Sequence, residues 1–262
     1  MNGNKKNKGV DKRQNIAVEV FGRIWALWGL ITFIVTFMVI FLPTMSTYLI
    51  KGNRGQAIFI QISKLWMDCW LFLVGCSLKV TGKENFVKGK TYVVACNHNS
   101  LLDPTVTCPY IPGANKTIAK MSFAKVPIFG WFYRKGSVLV DRKDAKSRLK
   151  SFEEMKEVIA QQMHMCIYPE GTRNQTGDYL KAFYDGAFTL AVASNVPVIP
   201  TVICNTEKAL PVNKPFFFLP YKITIQFLPE VSSEGKSAKE LKEEVYNIMY
   251  NYLKEKDTVK KG

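Results

Sequence analysis

"TYVVACNHNSLLDP", Thr91 to Pro104, decides how the chain folds. Its first six residues carry no charge and are rich in β-branched side chains, as in a strand buried on both faces. The run stops at the small polar residues "NHNS" and resumes as "LLDP". In open α/β sheets, ligands gather outside the carboxyl ends of the strands, and His98 stands at such an end. The chain has only two histidines, so this placement asks for a chemical reason.

The same alternation continues downstream. "SVLVD" (Ser137–Asp141), "HMCIYP" (His164–Pro169) and "PVIPTVI" (Pro197–Ile203) read as buried strands, and "KITIQF" (Lys222–Phe227) alternates as a half-exposed one. Helical spacing marks "SRLKSFEEMKEVIAQQ" (Ser147–Gln162) and "DGAFTLAVASN" (Asp185–Asn195). "SAKE" (Ser237–Glu240) is a capping box, opening a helix whose apolar face is Leu241, Val245, Ile248, Met249 and Tyr252. Strands alternating with helices predict an α/β domain with a mixed, largely parallel sheet flanked by helices.

The N-terminal third is different. A basic tail, "MNGNKKNKGVDKR", precedes "IWALWGLITFIVTFMVIFL" (Ile24–Leu42), which holds no charge. As a helix this run reaches roughly 28 Å, near the hydrocarbon thickness of a bilayer. It is too long for a signal peptide, and no small-residue cleavage site follows it. A second segment, Ile58–Leu78, places Phe59, Ile62, Trp66, Trp70 and Leu73 on one helical stripe. Lys64 and Asp68 can pair on its polar face, and two tryptophans suit a headgroup boundary. "KGNRG" (Lys51–Gly55) joins the segments. The organisation expected is a basic tail (1–22), a two-helix membrane anchor (23–79) and a catalytic domain (80–262). A positive-inside orientation and six cysteines without a C-x-x-C place residues 79–262 at the cytoplasmic face of the cell membrane. A monotopic hairpin and two spans both satisfy this.

A net charge of +15 calls for an anionic partner. Nucleic acid is set aside, because no basic stripe with interleaved aromatics and no nucleic-acid motif occurs. A phospholipid surface and an anionic substrate remain. No zinc spacing occurs, and no metal is expected.

His98 and Asp103 lie five residues apart, so they cannot share one face of a regular helix. Asp103, followed by Pro104, reads plainly as a helix N-cap. One carboxylate oxygen could cap while the other accepts the Nδ1–H of His98 across a tight turn, leaving Nε2 free.

"NHNSLLD" resembles the H-x-x-x-x-D motif of the glycerolipid acyltransferases. Three further blocks follow in the family's order: "GSVLVDR" (Gly136–Arg142), "YPEGTR" (Tyr168–Arg173) and "VPVIP" (Val196–Pro200). The chain is most similar to the 1-acylglycerol-3-phosphate acyltransferases, over roughly residues 80–230 and in the two-helix anchor. The resemblance implies that His98 is a general base on a lyso-lipid hydroxyl, and an imidazole's ordinary pKa near 6.5 suits this work. Asp103 would orient it. It also implies that Arg142, Arg173 and Lys120 bind the acceptor's phosphate, with Lys125 a rival for Lys120. Glu170, Gly171 and Thr172 would position substrate, Glu170 by holding a hydroxyl or an arginine. No cofactor is implied; the acyl donor would be acyl-CoA or acyl carrier protein, and the product phosphatidic acid.

Two positions depart from the family pattern: Tyr168 stands for the commoner Phe, and Asn99 for a frequent basic residue. His164 belongs to no block and reads as a strand-edge residue. Ser100 and Cys96 beside His98 keep a thioesterase or lipase as the alternative, although no G-x-S-x-G elbow exists. A peripheral lipid-binding protein without catalysis is the third reading.

Overall fold

The computed structural model describes residues 4–261, with side chains described from 16 to 258. The solvation expected for the side chains of the basic tail, 1–13, lies outside the described residues. Helix α1 (Asn4–Ser46) and helix α2 (Gly52–Leu73) run antiparallel, joined through a short 3-10 turn at Thr47–Leu49. The connection is residues 47–51 rather than the expected "KGNRG" (Lys51–Gly55): α2 already begins at Gly52, whose φ is +68°.

Four indole N–H groups tie this hairpin together. Trp25 and Trp28 of α1 donate to the carbonyls of Val74 and Leu73 at 3.0 and 2.9 Å. Trp70 donates to the Gly29 carbonyl at 3.0 Å, and Trp66 to the Thr36 hydroxyl at 2.9 Å. The tryptophans of α2 therefore do not serve a headgroup boundary: ring and donor are both satisfied inside the protein. On α2, Phe59, Trp66 and Trp70 are buried as the stripe predicts, whereas Ile62 and Leu73 are only partly covered. Met67, Leu71 and Val74 complete the buried face, because α2 packs against α1 on one side and the domain on another. Lys64 and Asp68 do pair, at 2.5 Å.

The domain is built on a seven-stranded sheet: β1 (Leu78–Thr81), β2 (Val93–Cys96), β3 (Asn115–Lys120), β4 (Ser137–Val140), β5 (His164–Ile167), β6 (Val198–Cys204) and β7 (Ile223–Phe227). Their order is β1-β7-β6-β2-β5-β3-β4. Every neighbouring pair is parallel except β6 and β7. The expected mixed, largely parallel sheet is what forms. The helices are α3 (Leu102–Thr107), α4 (Phe129–Gly136), α5 (Ala145–Ala160), α6 (Gly186–Ala193), the short α7 (Thr206–Ala209) and α8 (Ala238–Lys261).

Strand period two divides the core in two. Val94 and Cys96 face the layer of α1, α2 and α3, while Val93 and Ala95 face α5, α6 and α8. The capping box closes as read: Glu240 accepts the Ser237 N–H at 2.8 Å, and Ser237 Oγ accepts the Glu240 N–H at 3.3 Å. Leu241, Val245 and Met249 are fully buried beneath it.

His164 opens β5, an interior strand, and is buried rather than placed at a strand edge. Its Nδ1 accepts the Tyr92 N–H at 3.1 Å. Burial pushes its pKa down to about 4. The folded state thus binds a proton less readily than the unfolded state, so His164 supports folding above pH 6.5 and loses that support as pH falls toward 4. The linkage amounts to about 3 kcal/mol. His164→Gln should flatten the dependence of unfolding free energy on pH between 4 and 6.5 by about that amount, read from urea titrations in detergent at each pH.

Candidate active site

Four parallel strands, β2, β5, β3 and β4, lie side by side, so their carboxyl ends form one edge at spacings of about 4.8 Å. From these ends emerge His98, the segment Glu170–Arg173, Lys120 and Arg142. The chain crosses from β5 over β2 to β6, which makes the end of β2 a switch point of the topology.

Asn97 fixes the turn after β2. Its amide group donates to the Ile203 carbonyl at 2.9 Å and accepts the Ile203 N–H at 2.7 Å, extending the sheet's pairing by side chain. The turn then wraps around one oxygen. Asp103 Oδ2 lies 2.8 Å from His98 Nδ1 and accepts the N–H groups of Asn99 and Ser100 at 2.6 and 2.7 Å. Asp103 is wholly buried, and His98 is 17% exposed. Next to an ionised carboxylate Nδ1 carries the proton, so Nε2 keeps its lone pair.

Two details correct the sequence reading. Asp103 lies within the first turn of α3 and is not its N-cap; Pro104 follows in that turn, where a missing N–H breaks no helical bond. A single oxygen serves both the imidazole and the amides, because the turn converges all three donors on one point.

Glu170 is equally buried, and its hydrogen bonds go to backbone amides rather than to an arginine. Its Oε1 accepts the His98 N–H at 2.8 Å and its Oε2 the Lys181 N–H at 3.0 Å. Burial pushes its pKa up to about 7, against the pull of these two amides. The Asn174 N–H donates to the His98 carbonyl at 2.6 Å. The 170–181 loop therefore grips both backbone groups of the histidine.

The cations gather around that loop. The Arg142 guanidinium donates to the Gly171 carbonyl, and Lys181 Nζ donates to the Thr172 hydroxyl at 2.8 Å. Arg173 is partly exposed, and Lys120 is exposed at the end of β3. Lys125 lies beyond it in a 3-10 turn, Met121–Lys125. Among the described residues, no carboxylate is ion-paired with Arg142, Arg173, Lys120 or Lys181. Sequence reasoning missed the role of Asn97, although it opens "NHNSLLD", because its partner Ile203 is distant in sequence, and missed Lys181, which stands in no recognisable block.

The candidate nucleophiles are sealed. Cys96 is fully buried with its Sγ 3.7 Å from that of Cys166, and the buried Ser100 donates its hydroxyl to the Leu210 carbonyl at 2.8 Å. An apolar cleft begins one residue from Asp103, at Pro104 and Thr105, and runs between α2 and α4 past Phe59, Trp66, Phe132 and Gly136.

A parallel-sheet domain that presents a carboxylate-oriented histidine and a bank of free cations matches, over residues 77–204, the acyltransferase family model. The chain belongs to the acyltransferase family. It is 32% identical over 168 residues to the 1-acyl-sn-glycerol-3-phosphate acyltransferase alpha of Mus musculus, covering 63% of this chain and 58% of that protein. It is also 32% identical over 138 residues to the 1-acyl-sn-glycerol-3-phosphate acyltransferase of Saccharomyces cerevisiae, covering 52% and 45%. The chain spans about half the length of these curated relatives. Its fold is that of the 1-acyl-sn-glycerophosphate (LPA) acyltransferase PlsC from Thermotoga maritima, with a TM-score of 0.76 at 22% identity over 91% of this chain and 97% of that one.

Gly171 has a φ of +71°, and a Cβ there would stand 2.7 Å from the Tyr184 ring. Gly171→Ala should therefore lower the melting temperature, at about 1–2 kcal/mol of stability, while shifting the carbonyl that holds Arg142. Calorimetry and a turnover assay on the same preparation check both effects.

Proposed function

We propose that the chain is an acyltransferase that moves a fatty acyl group from a thioester to the free hydroxyl of 1-acylglycerol 3-phosphate, giving phosphatidic acid. The observation that carries this reading is the 2.8 Å contact between His98 Nδ1 and the buried Asp103, at a sheet edge lined by unpaired cations. His98 Nε2 takes the proton of the acceptor hydroxyl, and the oxygen attacks the thioester carbonyl. A C–O bond forms, the C–S bond breaks, and the departing thiolate recovers the proton from the imidazolium. Asp103 holds the tautomer and offsets the transient positive charge. Because Cys96 and Ser100 are enclosed, attack is direct and no acyl-enzyme forms.

Arg173, Arg142 and Lys120 bind the acceptor's phosphate, the guanidinium groups matching its oxygens in pairs. Lys120 ends β3 at the shared strand edge, whereas Lys125 lies five residues further on in a 3-10 turn, which favours Lys120. Gly171 and Thr172 shape the loop on which these cations rest. The apolar cleft beside α3 takes an acyl chain. Acyl-CoA and acyl carrier protein both suit this cationic edge as donor.

The protein lies on a phospholipid membrane through its N-terminal hairpin, with the α/β domain at the cytoplasmic face. The segment Ile16–Leu49 is long and apolar enough to cross a bilayer, and little of it is buried. It nevertheless contacts the domain along its length. Gly22 accepts the Phe218 N–H, Phe37 packs on Phe129 and Phe132, and Tyr48 donates to the Trp131 carbonyl. From Gly22 to Tyr48 is about 39 Å of helix. A spanning orientation would immerse that flank of the domain in hydrocarbon, so a hairpin lying along one leaflet is favoured over two spans.

Purified protein offered lyso-lipid acceptors that differ in headgroup, each with both donor types, should convert 1-acylglycerol 3-phosphate to a diacyl product. His98→Ala should lower the rate by about 10²–10⁴-fold. A rate untouched by that substitution, or transfer to acceptors lacking phosphate at equal efficiency, would overturn the reading.

A further inference from the structure

Behind the histidine lies a second set of polar groups that the reaction above does not use. Asp103 Oδ2 has three donors, but its other oxygen, Oδ1, is buried without a partner. The hydroxyls of Thr107 and Tyr168 share that condition. Thr107 stands four residues after Asp103 on α3, so the two project from one helix face. Tyr168 follows β5, the strand next to β2, and its ring lies 4.8 Å from the His98 ring. It is 6% exposed. A bare oxygen on a buried carboxylate and a bare phenol each carry an uncompensated desolvation cost unless they meet a partner. One group lacks a donor; the other offers one.

We infer that the Tyr168 phenol donates to Asp103 Oδ1 across one water shared with Thr107, and so is a positioning residue that sets the basicity of His98. This rests on the acyl-transfer reading for its consequence but not for its geometry. Phenylalanine would fill the same space on the imidazole and leave Oδ1 bare.

The effect has a definite sign. A donor on Oδ1 draws negative charge away from Oδ2 and weakens the carboxylate's hold on a protonated imidazole. His98 then loses its proton at lower pH, and the neutral base is present over a wider range. The other titratable groups around the pair are Glu170, bonded to the His98 amide, with Lys181 on its second oxygen. Around the phenol lie the thiols of Cys96, Cys108 and Cys166. The hydrogen bond to Cys166, and then burial, raises the pKa of the Cys108 thiol; against the opposing pull of Cys108, contact with Cys96 and burial raise that of Cys166; burial raises that of the Tyr168 phenol.

Tyr168→Phe tests the proposal by removing one oxygen while keeping the ring on His98. The acid limb of the kcat/KM profile should move to higher pH, with a loss of about three- to ten-fold near pH 6 that closes above pH 8. The KM for the acceptor should stay the same. Independently of turnover, the chain's two histidines make imidazole NMR readable: His164 titrates near 4, so the remaining resonance reports His98. That midpoint should rise in the variant. In an Asp103→Asn background, Tyr168→Phe should move neither midpoint nor limb further. An unmoved His98 resonance, or one that moves down, overturns the network. If the resonance shifts as expected while no lyso-lipid is acylated, the network stands and the acyl-transfer reading falls.

Discussion

One carboxylate oxygen holds the active site together. Asp103 Oδ2 gathers an imidazole N–H and two backbone N–H groups, and no water competes for it because the side chain is wholly buried. A buried ionised group is tolerated only when its hydrogen bonds are made, so the turn from His98 to Ser100 has little freedom to open. The same contact that folds the turn also aims the histidine. Local stability and catalytic geometry are here one interaction.

The sheet supplies what this turn cannot. Parallel neighbours bring β2, β5, β3 and β4 to a common edge, and residues distant in sequence arrive within a few strand widths of each other. Glu170 then locks the arrangement by accepting one amide from the His98 turn and one from the Lys181 segment. Within "PEGTR" its hydrogen bonds go to backbone amides. It is a buried clamp, and the cations around the loop remain unpaired and open to an anion.

The hairpin at the N-terminus packs on the domain through aromatic side chains. Phe33 and Phe37 of α1 pack on Trp66 of α2, and Phe37 also meets Phe129 and Phe132 of α4. The apolar cleft beside α3 is lined by α1, α2, α3 and α4 together, so the element expected to anchor the protein also walls this cleft.

Much of this was legible in the linear chain. The strands "VVAC" and "HMCI", the alternation of "ITIQF", the capping box at Ser237 and the His98–Asp103 pair all rest on local patterns, and local patterns survive folding. β1 and β3 were not legible: "LKVT" and "NKTIAK" are short and polar, and only neighbouring strands make them part of the sheet. The roles of Glu170, Asn97 and Tyr168 were hidden for the same reason. A side chain's type shows which hydrogen bonds it can make, but its partners lie 72 and 106 residues away for the first two. Sequence determined the chemistry available; only packing, by removing water and bringing distant donors to one acceptor, decided which groups would meet.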